Sequence, residues 1–151
     1  MEGRVFTVVG RGNVVMVCDS KTMKATYKEY SGVTIGSLIA IKSVLTKIAN
    51  TPVKDRVDQY TILVPDCVRG LHSPGTVNHW LQHRTSKKGT QLSMEFIGLI
   101  SDITSLMNEL ENTKILCASI MKRGFYANQV RKAWKTMESI VPKEKTIRMA
   151  K

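Results

Sequence analysis

Few side chains in this sequence have both the type and the spacing that chemistry requires. His79 and His83 stand four apart in PGTVNHWLQH, residues 74–83. On a helix that spacing places both imidazoles on one face, as in zinc sites built on HExxH. The residues between them are Trp80, Leu81 and Gln82, without the glutamate such a site uses as its base, and Cys67 and His72 are the nearby residues left to complete a ligand set. Exposed histidines are the preferred reading, with no metal and no other cofactor assigned. Asp19, Glu29 and Asp66 are the acids associated with strand-like runs. Asp19 reads as a solvated turn residue and Glu29 as a surface glutamate. Asp66 follows an apolar run and Pro65; a carboxylate there either belongs to a catalytic acid set or caps orphan N–H groups of the next helix, and the cap is preferred. Gly10-Arg11-Gly12 lacks GxGxxG spacing and a following helix, so it reads as a hairpin turn and not a phosphate loop. Cys18, Cys67 and Cys117 are odd in number and lack CxxC spacing. That argues against a disulfide framework or zinc ribbon and predicts buried free thiols in a reducing compartment.

The basic residues carry a stronger signal. Twenty-three Lys and Arg oppose 12 Asp and Glu, a formal net charge of +11. This favours a polyanionic partner, nucleic acid before an anionic membrane surface. The excess is uneven: residues 114–151 hold ten Lys and Arg against two acids, net +8, and residues 1–113 are net +3. Two clusters stand out. Arg84, Lys87 and Lys88 follow His83, and Lys122, Arg123, Arg131, Lys132 and Lys135 crowd the C-terminal third. Arg131 and Lys135 share a helix face at i, i+4. The bland alternative is two ordinary solvated basic faces. Trp80 and Trp134 fall on apolar helical faces and read as core. Phe125 and Tyr126, between basic residues, are better placed as stacking platforms, or else they staple the entry of a helix.

The elements that must position these residues follow from periodicity. The chain has 151 residues, 42% hydrophobic and 23% charged. That composition is globular and excludes disordered and collagen-like classes. The length suits one domain, residues 1–141, followed by a basic tail, 142–151. Uninterrupted apolar runs are short and the N-terminus has no signal-peptide shape, so no membrane span and a cytoplasmic location are expected. Residues 5–9, 14–18 and 24–30 read as a three-stranded antiparallel meander. A helix capped by Ser31 or Thr34 runs to about Ala49, with Ile35, Leu38, Ile39, Leu45 and Ile48 on its apolar face. YTILV, residues 60–64, is a strand buried on both faces. Helices over 74–83 and 92–111, a strand over 115–121 and a helix over 127–141 complete the order βββ-α-β-α-α-β-α. This predicts a mixed α/β fold: a five-stranded sheet of three antiparallel strands, extended by crossover strands and flanked by helices.

That order resembles the ribonuclease H-like fold family, and three local segments are similar to it. YTILVPDCVRG (60–70) resembles the family's fourth strand, which ends in an aspartate. TVNHWLQHRTSKKGT (76–90) resembles the helix and basic protrusion that some members use to hold substrate. IMKRGFYANQVRK (120–132) resembles the opening of the last helix, with Gly124 and Asn128 at positions where members often carry Gly and Asn. The resemblance implies a carboxylate set holding two divalent ions about 3.5–4 Å apart. Here the first strand, VFTVV, has no acid. The first-helix glutamate falls at about Ser37, the histidine loop at about Lys122 and the last aspartate at about Lys132. Asp66 alone is retained, and lysines near a divalent ion would repel it. The resemblance therefore implies a pseudoenzyme, with the fold kept and the metal site lost.

The function expected is non-catalytic binding of nucleic acid, as a duplex or hybrid, mainly through phosphate contacts from Arg84, Lys87, Lys88, Lys122, Arg123, Arg131, Lys132 and Lys135. One alternative is a small viral or phage accessory protein that docks on or inhibits another protein. A second is a divalent-metal nuclease with a relocated site. Asp102, Glu109 and Glu111, on a helix with no Lys or Arg between Met94 and Asn112, form a candidate assembly surface, so a dimer is allowed but not required.

Overall fold

A computed structural model describes residues 3–120 and 122–141. The basic segment 142–151 lies outside the described residues. Five strands, β1 (Arg4–Arg11), β2 (Val14–Asp19), β3 (Ala25–Glu29), β4 (Tyr60–Val64) and β5 (Thr113–Cys117), form one sheet in the order β3-β2-β1-β4-β5. β1, β2 and β3 are antiparallel neighbours, and β1–β4 and β4–β5 are parallel. This is the mixed sheet that the periodicity predicts, and its order is compatible with a ribonuclease H-like fold. Gly12, at φ 62°, makes the tight turn between β1 and β2, a conformation glycine adopts without steric cost.

Four helices cover the two faces: α1 (Val33–Asn50), α2 (Pro74–His83), α3 (Met94–Glu109) and α4 (Gly124–Ile140). Side chains alternate along β1, and the helices divide accordingly. Phe6 and Val8 join Leu38, Ile41, Leu45, Val77, Ile100 and Ile103 in the core beneath α1, α2 and α3. Val9 packs instead with Met16, Ala133 and Met137 under α4, and Val5 and Leu63 pack beside Tyr126 and Val130. Trp80 reaches this first core edge-on to Phe96, with ring centroids 5.2 Å apart. Gly70 makes room for it, because a Cβ there would stand 2.4 Å from the indole. Trp134 lies half-buried in the α4 layer with Arg11 over its ring at 5.0 Å. Both tryptophans are therefore packing residues. By length and composition α1 is the one helix among the described residues that could cross a bilayer. Its Leu38, Ile41, Val44, Leu45 and Ile48 are instead buried within the core.

Several boundaries differ from the sequence reading, each for a local reason. β5 ends at Cys117, because Ala118–Ile120 closes into a 3-10 turn and Ala118 packs back toward Val5 and Leu63. α4 begins at Gly124, whose φ of 89° turns the chain into the helix. Neither Ser31 nor Thr34 caps α1; its N-cap is Gly32, with no side-chain hydrogen bond. α2 and α3 have the side-chain caps, Ser73 accepting from the Thr76 N–H and Ser93 from the Phe96 N–H.

Asp19 is not a solvated turn residue. It is buried at the end of β2, where Arg4 donates from Nε to Oδ1 at 2.9 Å and from Nη2 to Oδ2. The Lys21 N–H donates to Oδ1 at 2.9 Å. Burial by itself would raise this carboxyl. The Arg4 hydrogen bond, the Lys21 N–H and the charges of Arg4 and Lys47 outweigh it and hold Asp19 below the usual carboxylate range. A depressed folded-state pKa stabilises the fold above the unfolded pKa, and that contribution is lost as pH falls through the folded value. Asp19→Asn is therefore expected to lower stability at pH 7 by about 1.5–3 kcal/mol, the range for a hydrogen bond to a charged group, since it leaves Arg4 without its counter-charge. In urea melts the variant and the wild type should converge well below pH 4; a constant difference from pH 7 to pH 2 would refute this.

Candidate nucleic-acid interface

The apolar stripe of α4 determines what its outer side displays. Ala127, Ala133 and Met137 are buried, so Asn128, Arg131, Lys132 and Lys135 face outward and are exposed. Arg131 donates to the Asn128 side-chain oxygen. Lys132 and Lys135 form one wall of a groove of about 570 Å³, with Cys18, Ser20, Met23, Lys24 and Ala25 opposite. A neighbouring groove of about 390 Å³ is lined by Arg4, Lys21, Met23, Phe125 and Lys132. The tip between β2 and β3 thus brings Lys21 and Lys24 against Lys132 and Lys135. Sequence reasoning missed Lys21 and Lys24, because their turn is remote in sequence from α4. The one available signal was the basic composition of that turn, Lys-Thr-Met-Lys at 21–24.

The other predicted cluster has a different platform. Arg84 ends α2 in a left-handed conformation, φ 59°, and the chain then doubles back through a Thr85–Gln91 bridge. The Ser86 N–H donates to the Thr90 carbonyl at 2.8 Å, and Gly89, at φ 92°, completes the turn. Arg84, Lys87 and Lys88 are exposed on this protrusion. It belongs to the α1–α3 layer, whereas Arg131, Lys132 and Lys135 lie on the other side of the sheet. Lys122 and Arg123 are exposed in the segment leading into α4. Six of the eight basic residues form a protrusion and a helix face on two sides of the sheet, and Lys122 and Arg123 lie in the segment that leads into that helix.

The carboxylate positions implied by the resemblance do not rebuild a metal site. Val5, Phe6, Thr7, Val8 and Val9 of β1 are all buried, and none carries an acid. Ser37 is fully buried in α1, with the Cys67 thiol 3.8 Å from its hydroxyl. Lys122 is exposed, and Lys132 lies in the α4 groove. Asp66 is exposed and does not cap the 3-10 segment Asp66–His72, whose N-cap is Pro65 with no side-chain bond. Instead its Oδ1 accepts from the Cys117 thiol at 3.4 Å. Hydrogen bonds from Ser119 and then Cys117, aided by the charge of Arg69, lower its pKa despite a small opposing desolvation. Among the described residues no three of His, Cys, Asp and Glu converge on one point. This donor set does not fit two divalent ions, which require several oxygen ligands.

The histidine pair reads similarly. His79 and His83 share a face with centroids 4.7 Å apart, and His79 Nε2 lies 3.2 Å from the Ser86 carbonyl, tying α2 to the protrusion. The acidic face of α3 is partly engaged, because Asp102 accepts from Lys42 at 2.8 Å. Of the three cysteines, Cys117 is buried and Cys18 half-buried, but Cys67 is exposed. The expectation of three buried thiols fails there because Cys67 lies just past the end of β4, on the outer side of a 3-10 turn. Burial also raises the Cys18 thiol pKa, leaving less reactive thiolate. A thiol reagent at neutral pH is expected to label one cysteine rapidly. Cys67→Ser should abolish that phase, and Cys117 should react only on unfolding; fast labelling that survives Cys67→Ser would contradict this exposure.

No family model and no curated protein sequence matches the chain. Among solved structures, it is similar to the foamy viral protease-reverse transcriptase in complex with an RNA/DNA hybrid, with a TM-score of 0.57 and 10% sequence identity. The match covers 87% of this chain and 19% of that one, so this chain spans about a fifth of that protein's length. At this identity the likeness shows a shared mixed α/β fold.

Proposed function

We propose that this protein binds nucleic acid without cleaving it, gripping the phosphate backbone of a duplex or hybrid. One observation carries the reading: Lys21, Lys24, Lys132 and Lys135 line adjoining grooves beside α4, where the buried acid Asp19 is already engaged by Arg4. A groove with cations on both walls attracts a polyanion and releases its condensed counterions. Phosphate contacts give affinity and register with little base specificity. The protrusion bearing Arg84, Lys87 and Lys88 supplies a second set of contacts. The loss of three of the four family acids supports a binding role over a catalytic one. The solved structure with which the chain shares its fold was captured with an RNA/DNA hybrid, which is consistent with this partner class.

The test is binding to matched dsDNA, dsRNA and hybrid duplexes across salt, with Mg²⁺ present and cleavage followed in the same samples. Binding that weakens steeply with salt, without cleavage, is the expected result. Replacing both Lys132 and Lys135 by Gln should reduce the log–log salt slope by about 2, because each phosphate that a lysine neutralises adds roughly 0.9 to it. Absence of binding near physiological salt would overturn the reading. Mg²⁺-dependent cleavage abolished by Asp66→Asn would overturn its non-catalytic part.

A further inference from the structure

Phe125 stands between the lysine-lined groove and a second hollow, and it is 52% exposed at the opening of α4. Its neighbour Tyr126 is engaged. The Tyr126 hydroxyl lies 3.3 Å from Thr61 Oγ1, and Lys114 Nζ sits over its ring at 5.5 Å. Among the described residues the ring contact of Phe125 is a tilted one with Tyr126, at 6.0 Å between centroids and 56° between planes. Phe125 is absent from the core clusters, so it does not staple the helix entry. A ring of this size left half in water gives up much of the stabilisation that burial would contribute. On one side of the ring lies a hollow of about 360 Å³ formed by Gly3, Val5, Gln59, Thr61 and Tyr126. On the other run Lys21 and Lys132, with Met23, 75% exposed, across the groove.

An exposed aromatic ring flanked by lysines is the arrangement that binds unpaired nucleotides: the ring stacks on a base and the cations follow its phosphates. A duplex cannot use the ring, because its base faces are already stacked on each other. We infer that the groove beside α4, besides meeting duplex phosphates, also takes an unpaired strand, in which a base stacks on Phe125 and the adjoining phosphates run along Lys132 and Lys21 toward Lys24 and Lys135. This rests on the nucleic-acid reading and extends it for this face of the molecule. Gln59 and Gln129 can each donate and accept at a base edge, so the site tolerates different bases.

The experiment uses the full chain and fluorescence anisotropy with a labelled mixed-sequence single strand, as DNA and as RNA, and with the blunt duplex of the same sequence. A 2-aminopurine in the strand reports stacking. Phe125→Ala is expected to weaken single-strand binding about 5- to 150-fold. It should relieve 2-aminopurine quenching while leaving both the salt slope and duplex binding unchanged. Phe125→Trp should restore binding. Lys132→Gln should instead lower the single-strand salt slope by about 0.7. The ring is exposed, so thermal melting of Phe125→Ala should match the wild type. If Phe125→Ala binds single strands as the wild type does while Lys132→Gln weakens them, the stacking site is refuted and the nucleic-acid reading stands. If neither strands nor duplexes bind at low salt, both fail.

Discussion

β1 is hydrogen-bonded on both edges and covered on both faces. β2 pairs with it antiparallel and β4 parallel, while α1 lies over Phe6 and Val8 and α4 lies over Val5 and Val9. All five residues from Val5 to Val9 are buried as a result. A charge in that stretch would have to be stripped of water, at a cost of several kcal/mol unless it were paired. The one ion pair near β1 obeys this constraint. Arg4 stands at the strand's first residue and meets Asp19 across the sheet, close enough to the end to remain slightly exposed. The same pairing anchors the β2–β3 tip, since Ser20 exchanges hydrogen bonds with Val5, its Oγ accepting at 2.8 Å and its N–H donating at 2.9 Å. The position of Lys21 and Lys24 therefore follows from how β1 is buried.

This arrangement leaves the centre of the sheet without acids and places the cations at its margin. The interior of β1 is uncharged, Ser37 is fully buried in α1, and Asp66 makes local bonds to the end of β5. The cations lie outside. They project from the protrusion after α2, from the segment before α4, and from the outer side of α4 itself. Exposed lysines retain their hydration and orient freely. The two basic surfaces are separated by the sheet. A nucleic acid held by both would have to pass around its edge or present two segments.

Much of the fold is legible in the residues. The β-branched runs, the helical spacing of Leu38, Leu45 and Ile48, and Pro74 and Ser73 at the start of α2 all reflect local rules of side-chain pattern and capping. The two tryptophans read as packing residues on the same basis, and the structure places both in packed layers. The departures have a common origin. Asp19 resembles a turn residue in sequence because its partner, Arg4, belongs to another strand. Cys67 resembles a buried thiol because an apolar run precedes it, but that run ends at Val64 and the chain then turns outward. Ser31 and Thr34 are good capping residues that the tertiary path of the chain leaves unused, with Gly32 in the N-cap position.

The sequence by itself determined the order of elements, the basic excess, and the absence of acids from the first strand and first helix. Each of these is a property of residue type or of period along the chain, and needs no knowledge of which segments meet. Only the tertiary structure decided which lysines share a groove and which aromatic ring remains open to it. That depends on the β1–β2 register and on the line α4 takes across the sheet, from Tyr126 beside Thr61 to Val141, whose carbonyl accepts from Arg11 at 3.2 Å. Long-range packing sets both, because the apolar stripe of α4 has one good fit against Val5, Val9 and Met16. The polar face opposite that stripe then falls beside the β2–β3 tip.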